Sequence, residues 1–189
     1  MKRVFWAIME GRTDGDWSLN GLPNAGRMDE AARIVNAALW LSHDVRRDVT
    51  VYITFYGPPD PPRTVKFVGS EMRRVYPDER SIGSVIRKAL RTGRTGGWTE
   101  AHPGVYVRDV GVELQEEIPL PKILLDEEGK RERIRENACF IVGGPYGVPA
   151  AARELLKPDR VVRIGNKTYT ASHTICAVNF ILDGGCDGT

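Results

Sequence analysis

Cysteine is scarce: Cys139, Cys176 and Cys186 are odd in number, widely spaced and without a CxxC pair. That excludes a disulfide scaffold and offers no zinc spacing. Histidine is equally sparse. His43, His102 and His173 stand alone, with no HExxH and no pair at ligand spacing, so no metal is expected. No apolar run approaches the roughly 18 residues of a membrane span. The opening MKRVFWAIMEGR has a basic start but only a short apolar run and no small-residue cleavage pattern. It reads as a first strand, not a signal peptide. A strong net charge is also lacking: 27 Lys and Arg face 25 Asp and Glu, a formal +2. GxSxG, the glycine fingerprint GxGxxG and the lysine and hydroxyl of a P-loop are missing too, which removes the esterase elbow and the usual phosphate cradles. A soluble protein of a reducing cytoplasm, without metal or membrane attachment, is the expectation.

What is present is an alternation of apolar runs and helical patterns, the signature of an α/β fold. A length of 189 residues suits one domain, residues 1–189. Strands are expected at Val4–Met9, Val49–Tyr56, Val65–Val68, Val105–Val107, Lys122–Leu125, Cys139–Val142 and Arg160–Ile164. Helices are expected over 29–42, where Ala31, Ala32, Val35, Ala38 and Leu39 share a face, and from the Asp78 cap onward, where Ile82, Val85, Ile86, Ala89 and Leu90 repeat at i, i+3, i+4. Arg80, Arg87, Lys88 and Arg91 line that second helix's outer side. Further helices fit 110–117, 149–156 and 171–182, and the glycine-rich stretch 92–104 reads as a loop. Cys139 and Cys176 lie on apolar patterns and read as core residues. Charge is unevenly spread: 13 basic against 8 acidic residues from Gly26 to Thr95, then 8 against 11 from Gly96 to Lys157. A polarised surface follows from that, although solvated faces account for it equally well.

Four stretches could carry chemistry. In FIVGGPYGVP, Phe140 to Pro149, a buried strand runs into three glycines. Glycine lets backbone groups approach a ligand, and open α/β sheets bind ligands past their strand ends; an ordinary tight turn is the plain alternative. In RIGNKTYTASHTICAVNFILD, Arg163 to Asp183, Gly165, Asn166, Lys167 and Thr168 could shape a loop around an adenosine, or simply join a strand to a helix capped by Thr170 or Ser172. In SHDVRRDV, Ser42 to Val49, Arg46 and Arg47 could recognise phosphate or pair with Asp44 and Asp48. In FVGSEMRRVYPDERS, Phe67 to Ser81, Arg73, Arg74 and Arg80 beside Tyr76 suit RNA, where arginines hold phosphates and rings stack on bases; a helix cap with surface charges is the alternative.

Taken together, LSHDVRRDVTVYITFYGPPDPPRTVKFVGSE with RRVYPDER, GRMD near position 26, HPGVYVR at 102–108 and a closing ASHTICAVNFILD resemble the archaeal tRNA pseudouridine-54 N1-methyltransferase family in the same order. FIVGG resembles the glycine loop of the wider SPOUT superfamily. The resemblance implies an open, mostly parallel sheet with helices on both faces and a C-terminal trefoil knot. It implies a homodimer that transfers a methyl group from S-adenosylmethionine to N1 of pseudouridine 54 in the T-loop of tRNA. The matching donor-binding positions are Leu125, Gly143, the run Ile164, Gly165, Asn166, Lys167, Thr168 and Tyr169, and Thr174. Members commonly carry a Leu-Ser-Pro type run where this chain has Ile164-Gly165-Asn166. The reaction removes a proton from N1, for which Asp48 and Asp78 are the candidate acceptors, with Arg46, Arg47, Arg73, Arg74 and Arg80 as RNA ligands. Rival readings are a relative acting on pseudouridine in rRNA or on another base, and a non-catalytic RNA-binding protein of the same fold.

Overall fold

A computed structural model of the chain describes residues 3–185; Cys186 lies outside them. The centre is an eight-stranded sheet. Its strands in chain order are β1 (Arg3–Met9), β2 (Val49–Phe55), β3 (Arg63–Val68), β4 (Thr99–His102), β5 (Val105–Arg108), β6 (Lys122–Arg131), β7 (Cys139–Gly143) and β8 (Arg160–Arg163). In space they run β4-β5-β3-β2-β1-β7-β6-β8. From β2 to β8 every pairing is parallel, four in all, whereas the three pairings that add β3, β5 and β4 are antiparallel.

β1 is central and buried along its whole length, as an apolar run covered on both faces should be. Its alternate residues feed two cores. Phe5, Ala7 and Met9 join the face covered by helices α1 (Met28–Leu39), α2 (Glu79–Arg91) and α4 (Ala171–Leu182). Val4, Trp6 and Ile8 join the other face, covered by a 3-10 turn at Val112–Glu116 and by the short α3 (Ala150–Arg153) with Leu156. On that side the Trp6 indole donates to Thr54 Oγ1 at 2.8 Å, and Thr64 Oγ1 donates to the Val110 carbonyl at 2.6 Å, so these three enclosed side chains have partners.

Helices α1 and α2 bury the faces their periodicity marks. Some expectations need correction. The stretch 92–104 contains strand β4, because Glu100 pairs with Tyr106 across a short hairpin whose Gly104 takes φ +76. The expected helices at 110–117 and 149–156 shrink to the 3-10 turn and to α3; Pro149 starts α3 and Pro158 follows it. Cys139 is buried as expected, but Cys176 is exposed on the outer side of α4.

Candidate active site

A cleft of about 750 Å³ opens where β6, β7 and β8 end, walled by the first turns of α1 and α4. This is the crevice past the strand ends where open sheets take ligands. Glycines form its tight parts. A Cβ on Gly143 would lie 2.4 Å from the carbonyl carbon of Gly147, and one on Gly144 would lie 2.7 Å from Met9 Cβ. Gly144 and Gly147 exchange backbone bonds of 3.2 and 2.9 Å, so Pro145 and Tyr146 form a two-residue turn tip. Gly147 closes that turn at φ +80, a conformation that suits glycine. Opposite, Gly165 lies under the Tyr169 ring, whose nearest carbon is 2.8 Å from where a Cβ would stand. The loop ends in α4, where His173 N donates to Thr170 Oγ1 at 3.4 Å.

The α1 wall is ionic. Arg27 precedes the helix at φ +64, in the left-handed region that side chains disfavour. Its Nε and Nη2 donate to Asp29 at 3.0 and 2.9 Å. Arg33 donates to Asp29 at 2.6 Å and to Glu30 at 3.0 Å, which satisfies two buried carboxylates from one guanidinium. Burial alone would push the Asp29 carboxyl up; the bonds from Arg27 and Arg33 outweigh it and hold the pKa below its ordinary value. Glu30, 4% exposed, also lies 3.4 Å from Ser172 Oγ, joining α1 to the start of α4 at the cleft.

The structure brings together Leu125, Gly143, Ile164, Gly165, Lys167, Thr168, Tyr169 and Thr174, all lining this cleft; Asn166 is in the same loop but does not line it. Arg27, Glu30, Arg33 and Tyr146 line it as well and were not anticipated. The signal for the first three was the spacing of GRMDEAAR, where an arginine four residues beyond Asp29 and three beyond Glu30 can reach both.

Within one chain the candidate proton acceptors Asp48 and Asp78 do not line this cleft. Asp48 is exposed just before Val49, and Val49 pairs with Arg3 at the amino end of the sheet. The cleft starts level with Ile8, the partner of Gly143, about 20 Å along the strands. Asp78 caps α2 instead: Ser81 N donates to its Oδ1 at 2.8 Å. It comes within one ion pair of the cleft, because neighbouring Glu79 accepts from Arg33 at 3.2 Å. Of the arginines, Arg46 forks onto Asp183, and Arg47 donates to the Gly69 carbonyl at 3.3 Å. Arg73 bonds the Ser70 and Met72 carbonyls, Arg80 bonds Asn20 at 2.7 Å, and Arg74 is exposed at φ +56.

The sequence matches a family described as SAM-dependent RNA methyltransferase over residues 2–184. A protein of Methanococcoides burtonii named tRNA (pseudouridine(54)-N(1))-methyltransferase is 39% identical over 191 residues, covering 93% of this chain and 93% of that one. Proteins of the same name from Thermococcus kodakarensis and Methanocaldococcus jannaschii are 36% and 35% identical, covering 91% and 97% of this chain and 93% and 97% of theirs. The crystal structure of Archaeoglobus fulgidus Nep1 bound to S-adenosylhomocysteine superposes with a TM-score of 0.68 at 13% identity, covering 96% of this chain and 99% of that one, a likeness of fold. The chain belongs to the family of SAM-dependent RNA methyltransferases.

Proposed function

We propose that this protein methylates N1 of pseudouridine at position 54 in the T-loop of tRNA, using S-adenosylmethionine held in the cleft. The supporting observation is that relatives of that name align along almost the whole chain, while the three loops expected to hold the donor converge on one glycine-lined cleft. The residues fit the donor: the missing side chains of Gly143 and Gly165 let the Gly147 backbone and the Tyr169 ring close in tightly, which shapes a narrow cleft suited to a flat adenosine. Leu125, Gly143, the 164–169 loop and Thr174 would hold it. When bound, S-adenosylmethionine supplies an electrophilic methyl group.

The chain's own contribution is alignment. A loop fixed by the Gly144–Gly147 pair and a helix start tied down by Glu30 give the reactants one orientation, and such alignment can supply roughly 7–11 kcal/mol of a barrier. The N1 proton leaves toward a carboxylate. Asp48 remains the candidate, acting from a second copy of the chain, with Arg47 beside it.

A homodimer therefore belongs to this reading. It is supported by the outer side of α4, where Phe180 is 61% exposed next to exposed Cys176 and the half-buried Ala177. The knot also belongs here: after β8, at the sheet edge, the chain returns as α4 to pack along α1 near the centre, the return a trefoil requires. One catalytic unit spans the chain and works in the cytoplasm. Among the described residues no helix is long and apolar enough to cross a membrane, and no group of three metal-binding side chains occurs.

The test is methyl transfer from labelled S-adenosylmethionine to two tRNA transcripts, one with pseudouridine at position 54 and one with uridine. Label is expected in the first alone, at N1. Label in neither, with donor binding intact, would move the substrate to another RNA.

A further inference from the structure

Tyr146 is 80% exposed, the most exposed large hydrophobic side chain among the described residues, yet it lines the cleft. Exposed aromatic rings on mobile loops carry little meaning. This one is mounted on a fixed support: it occupies the tip of the two-residue turn closed by Gly144 and Gly147, and Gly144 is packed on Met9 of the central strand. Pro145 before it restricts the backbone further. The ring makes no hydrogen bond to the described residues. The other cleft tyrosine, Tyr169, lies low, over Gly165. Tyr146 stands at the mouth of the cleft that Arg27 also lines. Arg27 itself is held in a disfavoured backbone conformation and clamped through Nε and Nη2 to Asp29, which leaves its Nη1 without an assigned bond. A strained residue beside an unpartnered aromatic at a cleft mouth points to a ligand that completes both.

We propose that Tyr146 is the platform on which the target pyrimidine stacks once it leaves the RNA, with the Arg27 guanidinium beside it facing the same nucleotide's phosphate. The inference rests on the methylation reading above. A base whose ring nitrogen is to be modified must leave its stack, and an aromatic side chain replaces the lost neighbour at a cost the free RNA cannot otherwise recover. Stacking is indifferent to the phenol hydroxyl, so a phenyl ring serves as well.

The experiment compares wild type, Tyr146→Phe and Tyr146→Ala by steady-state methyl transfer to the pseudouridine-54 transcript, by calorimetry with S-adenosylmethionine, and by equilibrium binding of the transcript in the presence of S-adenosylhomocysteine. The expected result is a KM for tRNA raised about tenfold by Ala and within about twofold of wild type for Phe, with donor Kd unchanged in both. An unchanged KM in the Ala variant overturns the proposal. So does a Phe variant as poor as Ala, which would assign the hydroxyl, or a parallel loss of donor affinity, which would assign the ring to the donor. If wild type transfers no methyl to this transcript, the methylation reading fails separately. The binding arm then decides for Tyr146, and equal affinity of wild type and Ala variant overturns it.

Discussion

Asp183, just past the last helix, grips Arg46, just ahead of β2, with two bonds: Nη1 donates to Oδ1 at 2.9 Å and Nη2 to Oδ2 at 2.5 Å. Arg3 reaches the same carboxylate at 3.4 Å, and its Nη1 also donates to the buried Asn179. Asn179 in turn donates to the carbonyls of Ala37 and Ala38 at the end of α1. One polar knot thus joins the first strand, α1, the start of β2 and α4.

Asp183→Asn should destabilise the fold by about 1 kcal/mol, a modest figure because the carboxylate is partly exposed. The bond from Arg46 holds the Asp183 pKa below its ordinary value. Its contribution is then present above the ordinary carboxylate pKa and disappears as pH falls through the lowered value. Denaturant midpoints should separate wild type from variant at neutral pH and converge below about pH 4.

Asp78→Ala should cost about 1 kcal/mol of stability through the lost cap, while Asp78→Asn, which caps as well, should cost little. Methyl-transfer turnover should follow neither change by more than about twofold. A turnover collapse in a folded Asp78→Asn protein would return that carboxylate to the chemistry.

Gly143→Ala should weaken donor binding more than tenfold. The added methyl meets the backbone of Gly147, which cannot swing aside as a flexible side chain would. Calorimetry against S-adenosylmethionine, with circular dichroism to verify folding, reads this directly.

The two described cysteines should behave oppositely toward a thiol reagent. Burial pushes the Cys139 thiol up to about 12, so it should stay unreacted until the protein unfolds. Cys176 is exposed on α4. In a Cys186→Ser background its labelling should slow as protein concentration rises, if the α4 face is shared between two copies. Phe180→Glu should abolish that protection and give a monomer in sedimentation.

The parts of this structure legible in the sequence are those written in short-range periodicity. Ile82, Val85, Ile86, Ala89 and Leu90 announce the buried side of α2 because each is fixed by its own helix. The donor loops were legible through resemblance, and their convergence on one cleft is geometry the sequence could not supply. Which arginines already have partners within the chain was not legible, for a physical reason. A guanidinium on a helix surface looks free for RNA until the fold supplies a carbonyl; Arg91 is taken by Gly15 O at 2.8 Å and Arg80 by Asn20, both on the segment between β1 and α1. Where Asp48 stands relative to the cleft was not legible, because adjacency along the chain does not tell which end of a strand a residue marks. Tyr146 escaped notice because one tyrosine among glycines has no periodicity to break.

The join of Arg3 to Asp183 also sets a direction for handling the molecule. Both residues stand at the amino edge of the parallel strands, and the cleft stands at the carboxyl edge. A tether attached beside either residue would hold the protein with its cleft turned outward. The donor would then reach its cleft without passing the support.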